Sequence, residues 1–410
     1  MIKILHTNDI HSNIHNSIEL FEYLHQEKKN DTLTIDLGDF FQGNSFYNLF
    51  KGKPERKLLL KTFDIVVPGN HGFNEYLKVN SLKKKKSFVL CCNIFRGKYE
   101  VFDKYLEMEF ANTKLGFIGI MSEDCFNSIE LRTRKNYSVM NPFEIVEGII
   151  SEIRYKIDYL FILSHSGVDF DVKLAKSLKG IDFILSSHCH SSIKKIKIGK
   201  TIIKKSLELG KGVGIIEINN NKIKLSEKTF NHMVMDYTNP KLTFLNPYLD
   251  LYDKKSSEII TIIPQKRIEW FSTRENLMTF FIELIAGVFN SNIYLFNLTT
   301  IRSGISDPNL STNDLYNILP FENSIIKFSV SKTKFNKCIK QIPSDIRKYL
   351  IINIVSEPKL LSIITTSYLY NNYFAKFITK QKYIHLASFR TFISEQLKNI
   401  EFNKSQHLNL

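Results

Sequence analysis

Cysteine is scarce in this chain of 410 residues: five thiols, Cys91, Cys92, Cys125, Cys189 and Cys338, an odd number with one adjacent pair. A secreted disulfide framework rests on paired, regularly spaced cysteines, so this pattern points to a reducing compartment. No apolar segment long enough for a signal peptide comes before Lys3-Ile4-Leu5-His6-Thr7-Asn8-Asp9, and no later stretch approaches the roughly 18 uninterrupted apolar residues of a membrane span. The expectation is a cytoplasmic protein with no membrane partner. Internal repeats are missing too, and low complexity is confined to the run Lys83 to Lys86, which has no interleaved aromatics to stack on bases. That run reads as a solvated loop, not a nucleic-acid groove.

What is present is ordinary for a folded protein: 43% hydrophobic and 24% charged residues, with length enough for two domains. A net charge of +15 suits anionic partners such as phosphate esters, although lysine is spread along the whole chain and the excess can equally be a compositional habit. Short apolar runs recur at Ile2 to Leu5, Thr32 to Leu37, Asp64 to Val67, Phe88 to Leu90, Leu115 to Ile120, Tyr159 to Leu163 and Ile181 to Leu185. Segments with helical spacing, such as Ile18-Leu20-Phe21-Leu24 and Phe143-Ile145-Val146-Ile149, lie between several of them. The class is α/β. We place a first domain at 1–218, a linker region at 219–262, where Asn-Pro turns and a charged helical segment occur, and a second domain at 263–410.

The polar residues that follow these runs carry the chemistry. Asp9 and His11 follow Leu5, Asp39 follows Leu37, Asn70 and His71 follow Val67, His165 follows Leu163, and His188 and His190 follow Leu185. In α/β sheets, ligands gather beyond the carboxyl ends of strands, so these loops can meet in one crevice. A lone histidine such as His25 or His385 carries no such meaning. A set of seven imidazole, amide and carboxylate groups, Asp9, His11, Asp39, Asn70, His165, His188 and His190, is the donor mixture that Zn, Mn or Fe takes, and one carboxylate can bridge two ions. Asp39 is the candidate bridge.

Leu5-His6-Thr7-Asn8-Asp9-Ile10-His11, Gly38-Asp39, Gly69-Asn70-His71, Ser164-His165-Ser166-Gly167 and Ser187-His188-Cys189-His190 resemble, in that order, the block motifs of calcineurin-like metallophosphoesterases. Gln42-Gly43-Asn44 and Leu174-Ala175 before Gly180-Ile181-Asp182 resemble the 5′-nucleotidase branch in particular. The resemblance implies a four-layer α/β/β/α sandwich followed by a smaller α+β C-terminal domain. It also implies two divalent metal ions, one held by Asp9, His11 and His190, the other by Asn70, His165 and His188, with Asp39 on both. A metal-bridging hydroxide would attack the phosphoryl group, and His71 would stabilise its charge or protonate the leaving oxygen. Where the 5′-nucleotidases carry an aspartate to pair with that histidine, this chain has Asn74, which can orient an imidazole but cannot balance its positive charge. The related 2′,3′-cyclic-nucleotide phosphodiesterases resemble this chain at Asn74 and at Ser12-Asn13. Glu75 is turned about 100° away along a helix and is not expected to take the missing role.

In the second domain, Phe296-Asn297 with Ile301-Arg302, and the turn Pro320-Phe321-Glu322-Asn323, resemble the substrate-recognition blocks of the 5′-nucleotidases. The resemblance implies Phe321 as a stacking platform for a base, Arg302 as an anion contact and Asn297 as a polar contact. The glycines usual before the arginine are replaced by Leu298-Thr299-Thr300, and the glycine-rich loop bearing a second stacking aromatic is missing, leaving Tyr373 or Phe374 as substitutes. The expected function is hydrolysis of a small phosphoester, with 5′-monoester, 2′,3′-cyclic diester and nucleotide-sugar pyrophosphate all open. A catalytically silent metal-containing nucleotide sensor and a nucleic-acid-cleaving enzyme are the alternatives from other classes.

Overall fold

The computed structural model describes residues 1–82, 88–110, 112–189, 191, 194–220, 222–231, 239–321, 323–342, 344–378 and 383–400. The chain divides into two compact units, Met1–Asp250 and Leu251–Leu410.

The first unit holds two sheets. One runs, in spatial order, Lys222–Thr229, Gly212–Asn219, Ile2–Thr7, Thr32–Asp36 and Ile65–Val66, the last three parallel. The other runs Lys195–Ile198, Thr201–Lys204, Phe183–Ser186, Tyr159–His165, Thr113–Met121 and Tyr105–Phe110, with a parallel centre. The two share one buried core, to which Ile4, Leu33, Ile35 and Ile216 come from the first sheet and Phe117, Phe161, Leu163 and Phe183 from the second. Between Leu33 and Ile35, Thr34 points the other way and its hydroxyl donates to the Thr62 carbonyl at the end of the helix Lys53–Thr62. On the outer face of the second sheet, Ile118, Ile120, Ile162 and Ile184 pack under the helices Pro142–Ile153 and Val168–Ser177. Pro142–Ile153 starts where Asn141 accepts from the Phe143 N–H and proline fills the first turn; its stripe Val146-Ile149-Ile153 has the three-four spacing of a buried helix face. The result is the expected α/β/β/α sandwich.

Three phenylalanines bind the second sheet to the shared core. Phe161 faces Phe117 and Phe183 in register on its two neighbouring strands, with ring centroids at 5.2 and 4.7 Å. Every one of these rings is almost wholly buried. Phe161→Ala is therefore expected to cost about 3–5 kcal/mol through lost burial and the cavity left between two fixed rings. A urea titration of the first unit's transition, followed by far-ultraviolet circular dichroism, measures it.

The linker expected from 219 onward begins instead with a strand. Lys222–Thr229 pairs along its whole length with Gly212–Asn219. It is an edge strand carrying Lys222, Lys224, Glu227 and Lys228, charge of the kind that keeps an edge from pairing with other chains. Ile259–Ile262, at the other end of the expected linker, pairs with Asn309–Ser311 of the second unit. The helix Asn246–Ser256 spans the division between units.

The second unit is built on a mixed sheet in the order Leu350–Ile354, Ile293–Asn297, Leu360–Thr366, Ser324–Ser331 and Ile384–Ser388. Phe280, Phe281, Phe296 and Ile393 lie in the core on one face, and Leu295, Phe328, Phe335 and Phe374 in the core on the other. Phe374, considered above as a substitute stacking aromatic, is fully buried between Phe328 and Phe335 and has no face to offer a ligand. Tyr373 is partly buried, edge-on to Tyr368. Among the described residues no helix is long and apolar enough to cross a membrane.

Candidate metal centre

Five parallel strands of the first unit deliver candidate ligands at their carboxyl ends. Ile2–Thr7 leads to Asp9 and His11, Thr32–Asp36 to Asp39, Ile65–Val66 to Asn70 and His71, Tyr159–His165 ends on His165, and Phe183–Ser186 leads to His188. The first two loops run side by side: the N–H groups of Asp9, His11 and Ser12 donate to the carbonyls of Gly38, Asp39 and Phe40 at 2.8–3.0 Å. Backbone is spent to hold them. Asp9, His11, Ser12, Asp39, Gln42 and His188 all have φ between 51° and 76°, a region that side chains other than glycine seldom occupy. Strain gathered on four candidate ligands and their neighbours marks this edge as the functional one. Gly69 shows how tight the approach is, because a Cβ there would sit 2.1 Å from Asp39 Oδ1 and 2.2 Å from the Asp39 nitrogen.

Asp39 is the centre of the cluster. His165 Nε2 lies 3.3 Å from its Oδ1 and His11 Nε2 lies 3.8 Å from its Oδ2. The other ring nitrogen of each histidine faces a main-chain carbonyl, Nδ1 of His165 to Leu37 at 2.7 Å and Nδ1 of His11 to Gln42 at 3.1 Å. Those bonds set the tautomer and turn the Nε2 lone pairs inward, as second partners do for metal-binding imidazoles. Burial acts to raise the Asp39 carboxyl, but the nearby imidazoles of His165, His71 and His11 hold it well below the usual carboxylate range. Asn70 Oδ1 is 3.3 Å from His165 Nε2. The Asp9 carboxylate takes the His188 N–H at 3.1 and 3.2 Å and the Asn8 amide at 2.9 Å.

These groups fit divalent ions. Bonds of about 2.0–2.2 Å from one ion to nitrogen and oxygen donors put adjacent donors roughly 3 to 3.5 Å apart, and the Asp39, Asn70 and His165 donor atoms are separated by 3.3 Å where measured. Asp9, Asp39 and His165 form one group of donors within 4.8 Å of one another, and His11, Asp39 and His71 form another. Both groups contain Asp39, but they depart from the expected division of ligands, since His165 stands with Asp9 and His71 takes a place beside His11. Beneath them, burial pushes Asp36 up to about 8, against the lowering effect of the Thr7 hydroxyl and the Gly38 N–H.

Not every expected site residue takes its expected place. His190 lies outside the described residues, as does Glu322 of the C-terminal turn. The Asn74 amide, expected to orient His71, donates to Thr133 Oγ1 at 3.2 Å in an exposed contact. Glu75 is buried and paired with Arg56 and Lys78, the latter at 2.7 Å, which tie it away from the site. In the second unit, Arg302 and Phe321 do come together, the guanidinium carbon 5.5 Å from the ring centroid. Asn297 is almost fully buried and its Oδ1 accepts from the Thr299 N–H at 2.9 Å. It caps the turn Leu298–Thr300, the segment that replaces the usual glycines, and this structural use supplants the expected contact to a base.

One residue of the cluster was missed in the sequence. Cys125 follows the strand Thr113–Met121 and brings its Sγ 3.4 Å from Asn70 Oδ1 and 3.8 Å from His188 Nδ1. Its position five residues past the apolar run Leu115 to Ile120 is like the spacing that marks Asp9 and His11 after Leu5.

The calcineurin-like phosphoesterase family profile matches residues 2–192. Among curated proteins, the trifunctional nucleotide phosphoesterase YfkN of Bacillus subtilis is 20% identical over 83% of this chain and 27% of its own length. An apyrase of Tabanus yao is 22% identical over 80% of this chain and 71% of its own. The chain thus spans about a quarter of the first of these relatives. Among solved structures, a 5′-nucleotidase precursor from Thermus thermophilus superposes with a TM-score of 0.77 at 16% identity, covering 97% of this chain and 96% of that one. Residues 2–192, the stretch that carries the cluster around Asp39, are thus similar to the calcineurin-like phosphoesterases, and the chain has the fold of the 5′-nucleotidase precursor.

Proposed function

We propose that this protein hydrolyses small phosphoesters, nucleotides foremost, with two divalent ions held by Asp9, His11, Asp39, Asn70, His165, His188 and His190. The observation that carries the reading is the Asp39 carboxylate, buried at a strand end with an imidazole Nε2 facing each of its oxygens. Bound there, such ions make a nucleophile available at neutral pH and draw charge from the phosphoryl oxygens. The chain does the rest. Asp39 brings the two donor groups to one point, the Leu37 and Gln42 carbonyls hold His165 and His11 with Nε2 inward, and Asp9, His11, Asp39 and His165 are buried.

His71 is the group placed to assist. Its backbone N–H donates to Asp39 Oδ1 at 2.8 Å, and its ring, partly exposed, stands edge-on to His11 at 5.1 Å between centroids. From there it can give a proton to a leaving oxygen or steady the negative charge. In the second unit, the pair formed by Arg302 and Phe321 offers a guanidinium for an anion and a ring face for a base.

The test uses the full chain stripped with a chelator and reloaded with Mn²⁺, Zn²⁺ or Fe²⁺, assayed on 5′-AMP, 2′,3′-cyclic AMP, a UDP-sugar and bis(p-nitrophenyl) phosphate. Hydrolysis is expected only after reloading, and the preferred substrate decides among monoester, cyclic diester and pyrophosphate. Silence on every substrate with ions bound would sink the enzymatic reading in favour of a nucleotide sensor.

A further inference from the structure

Cys125 is buried among the candidate ligands, and nothing in the chemistry proposed so far uses it. It is not a stray thiol near the site. Cys125, His165 and His188 form a three-donor group with all three ligand atoms within 4.8 Å of one another, alongside the groups built on Asp39. An ion bonded to sulfur at about 2.3 Å and to nitrogen or oxygen at about 2.0–2.2 Å, with adjacent bonds about 90–110° apart, has sulfur-to-neighbour edges of roughly 3.1–3.6 Å. The edges here are 3.4 Å to Asn70 Oδ1 and 3.8 Å to His188 Nδ1. The thiol is also held in place. The Ser122 hydroxyl accepts from the Cys125 N–H at 3.2 Å, opening the short helix Glu123–Ser128 and fixing the side chain towards Asn70.

We propose that Cys125 is a direct ligand of the ion shared with Asn70, His165 and His188, and that its sulfur makes that site selective for softer divalent ions. The inference rests on the proposed metal centre. On binding, the S–H bond breaks, a sulfur lone pair forms the bond to the ion and the proton leaves to solvent. A thiolate added to imidazole and oxygen donors favours Zn²⁺, Co²⁺ or Fe²⁺ over Mn²⁺ and Mg²⁺, which prefer oxygen. The competing account gives the thiol only a weak hydrogen bond to Asn70, which would orient the amide without touching an ion.

Cobalt separates the two. The stripped full chain is titrated with Co²⁺ and its near-ultraviolet absorption followed, with bound metal counted by mass spectrometry. Wild type is expected to develop an intense sulfur-to-cobalt charge-transfer band that Cys125→Ser lacks. Cys189→Ser should keep the band, for Cys189 Sγ faces the Val168 N–H at 3.2 Å and Ser191 instead. Zn²⁺ affinity should fall about ten-fold or more in Cys125→Ser, the scale on which even outer partners matter, while Mn²⁺ affinity stays level. X-ray absorption on the wild-type zinc protein, expected to show one sulfur at about 2.3 Å for every two zinc ions, gives the answer without any variant to fold. Cobalt bound by wild type with no charge-transfer band, or a band lost in Cys189→Ser, overturns the thiolate while leaving the metal centre standing. Failure of wild type to bind any divalent ion overturns both.

Discussion

Asp39→Asn is expected to leave a folded protein that turns over its preferred phosphoester at less than about a thousandth of the wild-type rate, the upper end of what one charge-stabilising group supplies. The substitution isolates charge. Asparagine has the same size, tolerates the φ of 51° that Asp39 holds, and keeps an oxygen to accept the His71 N–H. What it loses is the second anionic oxygen. One of the two imidazoles, His165 at 3.3 Å or His11 at 3.8 Å, would then face an amide NH₂ that cannot bind an ion. The bridge between the two donor groups is cut, and metal content should fall with activity. The measurement is turnover of the best substrate from the panel together with bound metal per chain. Activity within about ten-fold of wild type would mean that Asp39 shapes the loop and does not bridge.

Much of this site was legible in the sequence because its physics is local. A short apolar run followed within a few residues by a ligand-type side chain can be read without knowing the topology, and the parallel sheets then bring the ends of Thr7, Asp36, Val66, His165 and Ser186 to one edge. The pairing of His11 and His165 with opposite oxygens of Asp39 could not be read, since it depends on carbonyls of Gln42 and Leu37 reached only through the fold. Cys125 escaped for a different reason. It follows a run that was recognised, but a single thiol carries no meaning until His188 and Asn70 arrive from 63 and 55 residues away. In the second unit the failures share one cause, that polar and aromatic residues have structural uses as well as binding ones. Asn297 went to a backbone cap and Phe374 to the core, while Arg302 and the half-buried Phe321 stand together. The strand Lys222–Thr229 falls inside the expected linker because the Asn-Pro turns and charged helical segment beyond it define that stretch, and only its partner, Gly212–Asn219, gives it a sheet.

His71→Ala is expected to lower kcat by about 10²- to 10⁴-fold, the range for losing a positioned proton donor, with bound metal unchanged. The two halves of that statement divide the roles open to this residue. His71 belongs to a three-donor group with His11 and Asp39, so geometry alone allows its imidazole to be a ligand. Its surroundings argue otherwise. His11 and His165 are buried with one ring nitrogen bound to a carbonyl, whereas His71 is partly exposed at the mouth of the site, where a substrate oxygen can reach it. The Asn74 amide is turned to Thr133, so this neighbour adds no negative charge to keep the imidazole protonated. Asn74→Asp should accordingly change kcat less than His71→Ala does. If His71→Ala loses metal in proportion to activity, the residue is a ligand. If kcat moves by less than about three-fold, the proton comes from solvent and the histidine serves the loop alone.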